Sequence, residues 1–344
     1  MALQLGKTVV YENAPEIAFW AACAGKKEGE GPFGTQFDKV FTDTTLGKES
    51  WEESESELLK NAAEIALAKG KLTWADIDCI FAGDLLSQCI ASNFAFANLG
   101  VNFCGLYGAC STMALALINA ANLLECGAAG RALAATGSHF CSSERQFRFP
   151  LEYGSQRAPT TQWTVTAAGA AVLESGKQSG ARGKVKIRAA RFGEITDLGV
   201  TDANNMGAAM APAAAKTIAA VVKDLKGDLS DFDRIVTGDL GHIGSDILYQ
   251  YLKREYHLNI QSLHDDCGKL IFAREAQDVH GGGSGAGCCA SMLCAHFLGA
   301  LAAGDLKRIL FVPTGALLSA STVKQGRTIP AVAHAVVLET TLQS

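Results

Sequence analysis

The sequence lacks several patterns that would assign a function directly. Its eleven cysteines include no C-x-x-C pair, which excludes the usual spacing of structural zinc sites. No run of about 18 apolar residues occurs, so we expect no membrane-spanning helix. The N-terminus has no apolar signal-peptide core. No basic run stands out and the net charge is −5, which disfavours nucleic-acid binding.

Aromatic residues (8%) and charged residues (19%) are few, whereas 48% of the 344 residues are hydrophobic. The cysteines lie mostly in apolar runs, where a reduced thiol behaves as a small hydrophobic side chain. With 36 glycines, this composition is typical of closely packed α/β layers in a reducing, intracellular compartment. The length suits two domains or one duplicated unit.

Four segments of the first half recur in the same order in the second half. One pair shares the frame D-x-D-x-I-x-x-G-D-L, and the matched ranges are 76–85 with 231–240, 108–115 with 287–294, 130–137 with 307–315, and 169–175 with 334–340. We therefore predict two copies of one unit, residues 1–178 and 179–344. The polar turn "SGKQSGARGK" joins them.

Each copy shows the same series of predicted elements. A helix precedes a short strand that ends at Gly-Asp, and a long, almost wholly apolar helix follows near residue 111 or 288. A helix that is apolar on every side is buried. Two more strands complete each copy, and alternating strands and helices indicate parallel pairing. The predicted fold is α/β, a thiolase-like five-layer αβαβα sandwich with the two apolar helices at its centre.

The cysteine at the head of the first buried helix and the late loop "GGGSGAG" (281–287) resemble the thiolase and condensing-enzyme superfamily. More specifically, "YGACST", "GSHFCSSERQFRFPLEYG", "LGVTDANNMGAAMAPAAA", "HDDCG" and "PTGALLS" resemble the stage V sporulation protein AD family of spore-forming Firmicutes. The similarity extends over nearly the whole chain.

That resemblance implies a chain that binds dipicolinic acid or its calcium chelate, without a further cofactor. It implies membrane partners in the sporulation V A group, which moves dipicolinate into the developing spore and out at germination. A peripheral location at the forespore or spore inner membrane follows from it, and a homodimer is expected by analogy with the superfamily.

Cys110 has two interpretations. At a helix N-terminus, unpaired N–H groups and the helix dipole favour a thiolate nucleophile. A condensing enzyme also needs a His and an Asn or second His, and the resemblance implies that Gly238 and Gly283 stand at those positions, with His242 and His280 displaced nearby. We therefore expect Cys110 to be a vestigial nucleophile that lines a pocket, and we expect no catalytic residue.

The segment "SHFCSSERQFRFP" supplies the candidate contacts for a flat aromatic dianion. A guanidinium pairs well with a carboxylate, and an apolar wall suits a ring. The predicted ligand-binding residues are Cys110, His139, Arg145, Arg148, Asp84 and Phe147. The alternative for the two arginines is a solvated or subunit-interface pair.

Two acidic motifs have structural alternatives. Asp84 and Asp239 each follow a strand-ending glycine, where α/β sites form, but capping of the next helix is the favoured explanation. The segment "HDDCG" (264–268) resembles a metal cluster, yet consecutive residues do not converge on one ion from regular structure, so we predict no protein-only metal site.

Three functions remain open from the sequence. The first is a non-catalytic, dipicolinate-binding thiolase-fold protein. The alternative is an active acyl-thioester condensing enzyme of the ketoacyl-synthase III type that uses Cys110. The third is a scaffold whose pocket is vestigial.

Overall fold

The computed structural model describes residues 2–147, 157–176 and 185–342. In these residues each half of the chain contributes five strands to the main path of one large sheet, and three short strands of the first half (Leu3–Leu5, Thr8–Val10 and Lys39–Val40) pair beside that path. Those of the first half are β1 (Glu16–Ala24), β2 (Cys79–Gly83), β3 (Asn102–Gly105), β4 (Arg131–Ser138) and β5 (Ala167–Glu174). Those of the second half are β6 (Val185–Arg191), β7 (Arg234–Thr237), β8 (His264–Asp266), β9 (Arg308–Val312) and β10 (Ala335–Thr340).

The two halves have the same strand order. It is β3-β2-β4-β5-β1 in the first half and β8-β7-β9-β10-β6 in the second. In each half the last strand is antiparallel to both of its neighbours, whereas the second strand is parallel to the third and fourth. A short antiparallel contact between β1 and β6 joins the two sets. The predicted boundary at 178/179 lies outside the described residues and stays a prediction.

Six main helices cover or separate the strands in the described part of the chain. They are α1 (Trp51–Lys69), α2 (Thr112–Glu125), α3 (Phe140–Phe147), α4 (Met206–Asp224), α5 (Gly241–Tyr251) and α6 (Ala286–Ala303). Shorter helices and strands lie at Lys26–Gly29, Ile90–Ala95, Cys267–Leu270, Ala320–Lys324, Leu3–Leu5, Thr8–Val10, Lys39–Val40, Trp163–Thr164, Gly283–Ser284, Thr314–Ala316 and Ala331–Ala333.

The helices form the layers that the sequence predicts. α1 begins with a capping box between Ser50 and Glu53 and packs on the outer face of β1, β4 and β5. α4 covers β9 and β10 on the opposite side. α2 lies between the halves, in contact with β2 and β4 of one and β6 and β10 of the other. The predicted five-layer sandwich is therefore confirmed.

α6 is the second central helix, interrupted by one π-helical stretch at Leu293–Phe297. α6 is long and apolar enough to span a membrane by length and composition alone, although the sequence contains no continuous apolar run of that length. Two thirds of it (67%) is buried inside the protein, against β4, β5 and β1. Its apolar character is that of a core helix between two sheets.

Candidate functional site

A small cavity lies beside the N-terminus of α2, where strands from both halves end. Its volume is about 60 Å³. The first half contributes Leu85, Tyr107, Ala109, Cys110, Ser143, Glu144, Phe147 and Thr164 to its wall. The second half contributes Ala203, Met206, Ser284, Gly285, Ala316 and Leu318.

Four large side chains separate this cavity from a wider groove of about 370 Å³ on the surface. Leu85, Tyr107, Phe147 and Leu318 line both spaces. The groove continues along uncharged polar groups, among them Ser87, Gln88, Gln146, Ser319 and Thr322. A ligand from solvent would reach the inner cavity past these four side chains.

Cys110 is held at the head of α2 by a tight turn. Ala109 before it has a left-handed backbone (φ 49°). The hydroxyl of Ser111 donates to the carbonyl of Gly108 at 2.6 Å, and that of Thr112 donates to the carbonyl of Ala109 at 2.6 Å. The sulfur therefore lies at the cavity wall, although the residue is only 8% exposed.

The surroundings of Cys110 favour the thiol over the thiolate. Burial raises its pKa well above the usual range, and the charge of Asp239 and its hydrogen bond with the thiol raise the pKa further. The N–H of Gly285 acts in the opposite direction but is the weaker effect. Helix α2 would lower the pKa of an exposed thiol, and here burial and a neighbouring carboxyl outweigh it.

Asp239 is the acidic neighbour of this thiol. One carboxyl oxygen, Oδ1, accepts a hydrogen bond from the Thr314 hydroxyl at 2.6 Å. The other, Oδ2, is buried and has no partner of ordinary hydrogen-bond geometry among the described residues, so its contact with the thiol is weak. Burial raises the pKa of Asp239 to about 7, while the Cys110 and Thr314 contacts lower it in part.

No histidine lies in the described wall of the cavity or hydrogen-bonds to the Cys110 sulfur. His280 contacts the carbonyl of Ala158 through Nδ1 at 3.0 Å and Asp278 through Nε2 at 3.0 Å. Side chains have little room at Gly238, where an added Cβ would lie 3.0 Å from the Cβ of Cys289. That Gly238 and Gly283 take the place of condensing residues stays a prediction.

The second-half counterpart of Cys110 in the internal repeat is Cys289, and the two meet. The Cys289 sulfur donates to the carbonyl of Cys110 at 3.2 Å, and its side chain is fully buried. Burial raises the pKa of Cys289 well above the usual range. Cys289 is therefore a core thiol beneath the cavity.

Comparison with known proteins agrees with this architecture. The family described as "Stage V sporulation protein AD (SpoVAD)" matches residues 6–339. Stage V sporulation protein AD of Bacillus subtilis (strain 168) is 42% identical over 339 residues, which cover 98% of each chain. The chain belongs to the stage V sporulation protein AD family.

Solved structures show the fold that this family shares. 3-Oxoacyl-[acyl-carrier-protein] synthase III of Aquifex aeolicus VF5 is 15% identical with a TM-score of 0.58, covering 94% of this chain and 99% of that one. Human mitochondrial 3-ketoacyl-CoA thiolase in complex with CoA is 11% identical with a TM-score of 0.59, covering 97% and 100%. At this identity the likeness shows the thiolase fold alone.

The structure brings two of the predicted ligand residues, Cys110 and Phe147, together on the cavity wall. Arg145 forms an ion pair with Glu52 and is half exposed, outside the set of wall residues. Arg148 lies outside the described residues. A ligand role for either arginine stays a prediction for this family member.

His139 and Asp84 are buried away from the wall. His139 accepts from the N–H of Cys141 and donates through Nε2 to the carbonyl of Thr44 at 2.8 Å, and burial lowers its pKa, so it is a neutral core histidine. The Asp84 oxygens accept from Leu86 N–H at 2.9 Å and from the N–H and hydroxyl of Ser92 at 2.8 and 2.6 Å. This is the capping role that the sequence favoured.

The expectation that Asp239 caps the next helix in the same way is wrong. The N–H groups of Leu240 and Gly241, at the start of α5, donate to Asp266 instead, each at 2.9 Å. Asp266 belongs to "HDDCG", and this hydrogen bonding identifies it as a structural residue. Within the described ranges no group of three or more His, Cys, Asp or Glu side chains is arranged to hold a metal ion.

Ser143 and Glu144 are wall residues that the sequence analysis did not select. Both lie in the quoted segment, which forms α3, and residues 143, 144 and 147 share one helix face at spacings of three and four. A helix assigned to this segment from its sequence would have placed both residues on the same face as Phe147. Glu144 accepts from the Thr164 hydroxyl at 2.9 Å, and the buried Ser143 hydroxyl has no hydrogen-bond partner among the described residues.

Proposed function

We propose that this chain is a non-catalytic thiolase-fold protein that binds dipicolinic acid or its calcium chelate. It supports uptake into the developing spore and release at germination, together with membrane partners of the sporulation V A group. The observation that carries the proposal is the cavity at Cys110, where the thiol is buried and no histidine lies among the described wall residues. Burial first, and the charge of Asp239 second, keep this thiol protonated, and a protonated thiol is a poor nucleophile.

The cavity's shape and donors support a small, flat acid. Leu85, Phe147 and Met206 offer apolar surface for a ring. The unpartnered Ser143 hydroxyl and the head of α2 supply donors of the kind that anions need. A volume of 60 Å³ holds roughly four to six waters, so dipicolinate would also occupy space now filled by the four side chains next to the groove.

Glu144 supports the calcium chelate as the better ligand. Its carboxyl group lines the cavity. A calcium ion chelated by dipicolinate accepts further oxygen ligands, and a carboxyl oxygen on the wall is a suitable one. The proposal therefore includes calcium as part of the bound ligand, arriving already chelated.

Direct calorimetry tests the proposal. We expect dipicolinate to bind the purified chain, more tightly with equimolar calcium than without. Picolinate, which has one carboxylate, should bind more weakly by about 1.5–3 kcal/mol because one set of charged hydrogen bonds is lost. Flat titrations with dipicolinate under both conditions would refute the proposed ligand.

The condensing-enzyme alternative predicts a covalent product. Incubation with acetyl-CoA or a longer acyl-CoA, followed by intact-mass measurement, should show no added acyl group, because burial keeps the Cys110 thiol protonated and the described wall offers no histidine to activate it. The Cys110→Ala variant is the matched control for labelling at other cysteines. An acyl adduct on the wild type that this variant lacks would restore catalysis.

A homodimer is part of the proposal. Every residue of the edge strand β3 (Asn102–Gly105) is exposed, and Phe94 on the adjacent short helix is 70% exposed. An uncovered edge strand with apolar neighbours is a surface for strand pairing with a second copy. Sedimentation at micromolar concentration should give the mass of two chains, and a monomer there would refute this part.

A further inference from the structure

Two buried aspartates near Asp239 in the fold or in the repeat, Asp84 and Asp266, stabilise helix starts, whereas Asp239 does not. Asp84 uses both carboxyl oxygens to accept from Leu86 and Ser92, and Asp266 uses both to accept from backbone N–H groups. Such carboxyl groups are occupied as acceptors and stabilise helix starts. Asp239 accepts from Thr314 through Oδ1, its Oδ2 is buried without a hydrogen-bond partner among the described residues, and its carboxyl group as a whole interacts with the Cys110 thiol. Its second oxygen is available for a proton.

The contact between Asp239 and Cys110 has two possible directions. When Asp239 is ionised, the thiol S–H donates to the carboxylate, and the sulfur presents lone pairs to the cavity. When Asp239 is protonated, its O–H donates to the sulfur, and the S–H is then available to a ligand in the cavity. The two arrangements differ by one proton on Asp239, and no covalent bond between heavy atoms changes.

The groups that face Asp239 offer no counter-charge. They are Asp266 at the end of β8 and four thiols, those of Cys110, Cys267, Cys288 and Cys289. Burial raises the pKa of each of the four thiols well above its usual range, so they remain neutral. An anionic ligand above Cys110 would therefore face an ionised Asp239 with no described cation between them.

We infer that Asp239 is a positioning residue of the cavity which takes up one proton from solvent when a ligand carboxylate binds above Cys110, so that the Cys110 S–H turns toward the ligand. The inference rests on the proposed function. The direction of the pH dependence of binding follows from the acid–base equilibrium of Asp239. Burial raises the pKa of Asp239 to about 7, so the free protein loses this proton as the pH rises above neutrality, and affinity falls with it.

The experiment is calorimetry of dipicolinate with the full chain at pH 8, in two buffers of different ionisation enthalpy. The difference between the two heats gives the number of protons taken up. For the wild type we expect close to one proton, and an affinity that falls by up to about tenfold per pH unit above pH 7. The ligand itself stays doubly ionised over this range.

Variants separate Asp239 from other titrating groups. Asp239→Asn cannot ionise and should bind with no proton uptake and a flat pH profile. Thr314→Val removes a contact that lowers the Asp239 pKa, so the fall in affinity should move to higher pH. Asp265→Asn, which alters an exposed ion pair with Arg234, is the control and should behave as wild type.

The outcomes distinguish the inference from the proposal beneath it. Absence of dipicolinate binding at pH 6, both with and without equimolar calcium, would overturn both. Binding by the wild type with no proton uptake at pH 8 would overturn the inference and leave the proposed function standing. Uptake retained in a folded Asp239→Asn variant would also overturn it. The wild-type measurement decides the matter even where a variant fails to fold.

Discussion

Replacement of Asp266 by alanine is expected to lower the free energy of unfolding by about 3–5 kcal/mol, because it leaves several buried donors without an acceptor. The Asp266 carboxyl accepts from the hydroxyl of Thr237 at 2.6 Å and from the N–H groups of Leu240, Gly241 and Lys269 at 2.9, 2.9 and 3.1 Å. The three N–H groups lie at the starts of α5 and of the short helix that follows β8, and Thr237 ends β7. Urea denaturation followed by circular dichroism measures the change.

Asp265 provides the matched control for this prediction. It is the adjacent residue, but its carboxyl is partly exposed and pairs only with Arg234 at 3.0 Å. A surface ion pair contributes about 0–1 kcal/mol to stability, so Asp265→Ala should lower the free energy of unfolding by at most about 1 kcal/mol. Equal losses at the two positions would show that the hydrogen-bond hub contributes little to stability.

The second large effect is expected at Gly169. It lies in β5 where helix α6 crosses the sheet, and an added Cβ would overlap the carbonyl oxygen of Ala290. Because neither the strand nor the central helix can withdraw without opening the core, Gly169→Ala should cost about 3 kcal/mol or more. Thermal and urea denaturation of the purified variant measure the loss.

Gly137 is the appropriate comparison for Gly169. It lies on the neighbouring strand β4, where an added Cβ would lie 3.3 Å from the Cβ of Ala168, a tight contact that a shift of a few tenths of an ångström relieves. Gly137→Ala should therefore be milder than Gly169→Ala. A larger loss of stability for Gly137→Ala than for Gly169→Ala would show that helix α6 can move away from β5 at Ala290.

The sequence predicted the fold well because hydrophobic periodicity and internal repetition both report on it. The frame at 76–85 and 231–240 marks β2 and β7, which occupy the same place in the strand order of each half. The apolar segments near 111 and 288 became the central helices α2 and α6. Their burial follows from composition alone.

The site was harder to predict because it depends on the direction of side chains. Arg145 and His139 have suitable chemistry, but α3 directs Ser143, Glu144 and Phe147 toward the cavity, while Arg145 contacts Glu52. Sequence repetition does not fix the role of a residue, since Asp84 and Asp239 occupy matching positions in the predicted repeats but accept hydrogen bonds from different kinds of donor. Which hydrogen bonds an acid accepts is decided by distant residues such as Thr314 and Asp266.

The meeting of Cys110 with Cys289 limits how many ligand molecules one chain can hold. The two cysteines that match in the predicted repeats share one location: Cys110 lies at the cavity wall, and Cys289 is buried in the core with its S–H directed at the Cys110 carbonyl. Within the described residues the matched pair therefore belongs to a single site. A saturating titration should therefore end at a single equivalent per polypeptide, and a dimer should carry two.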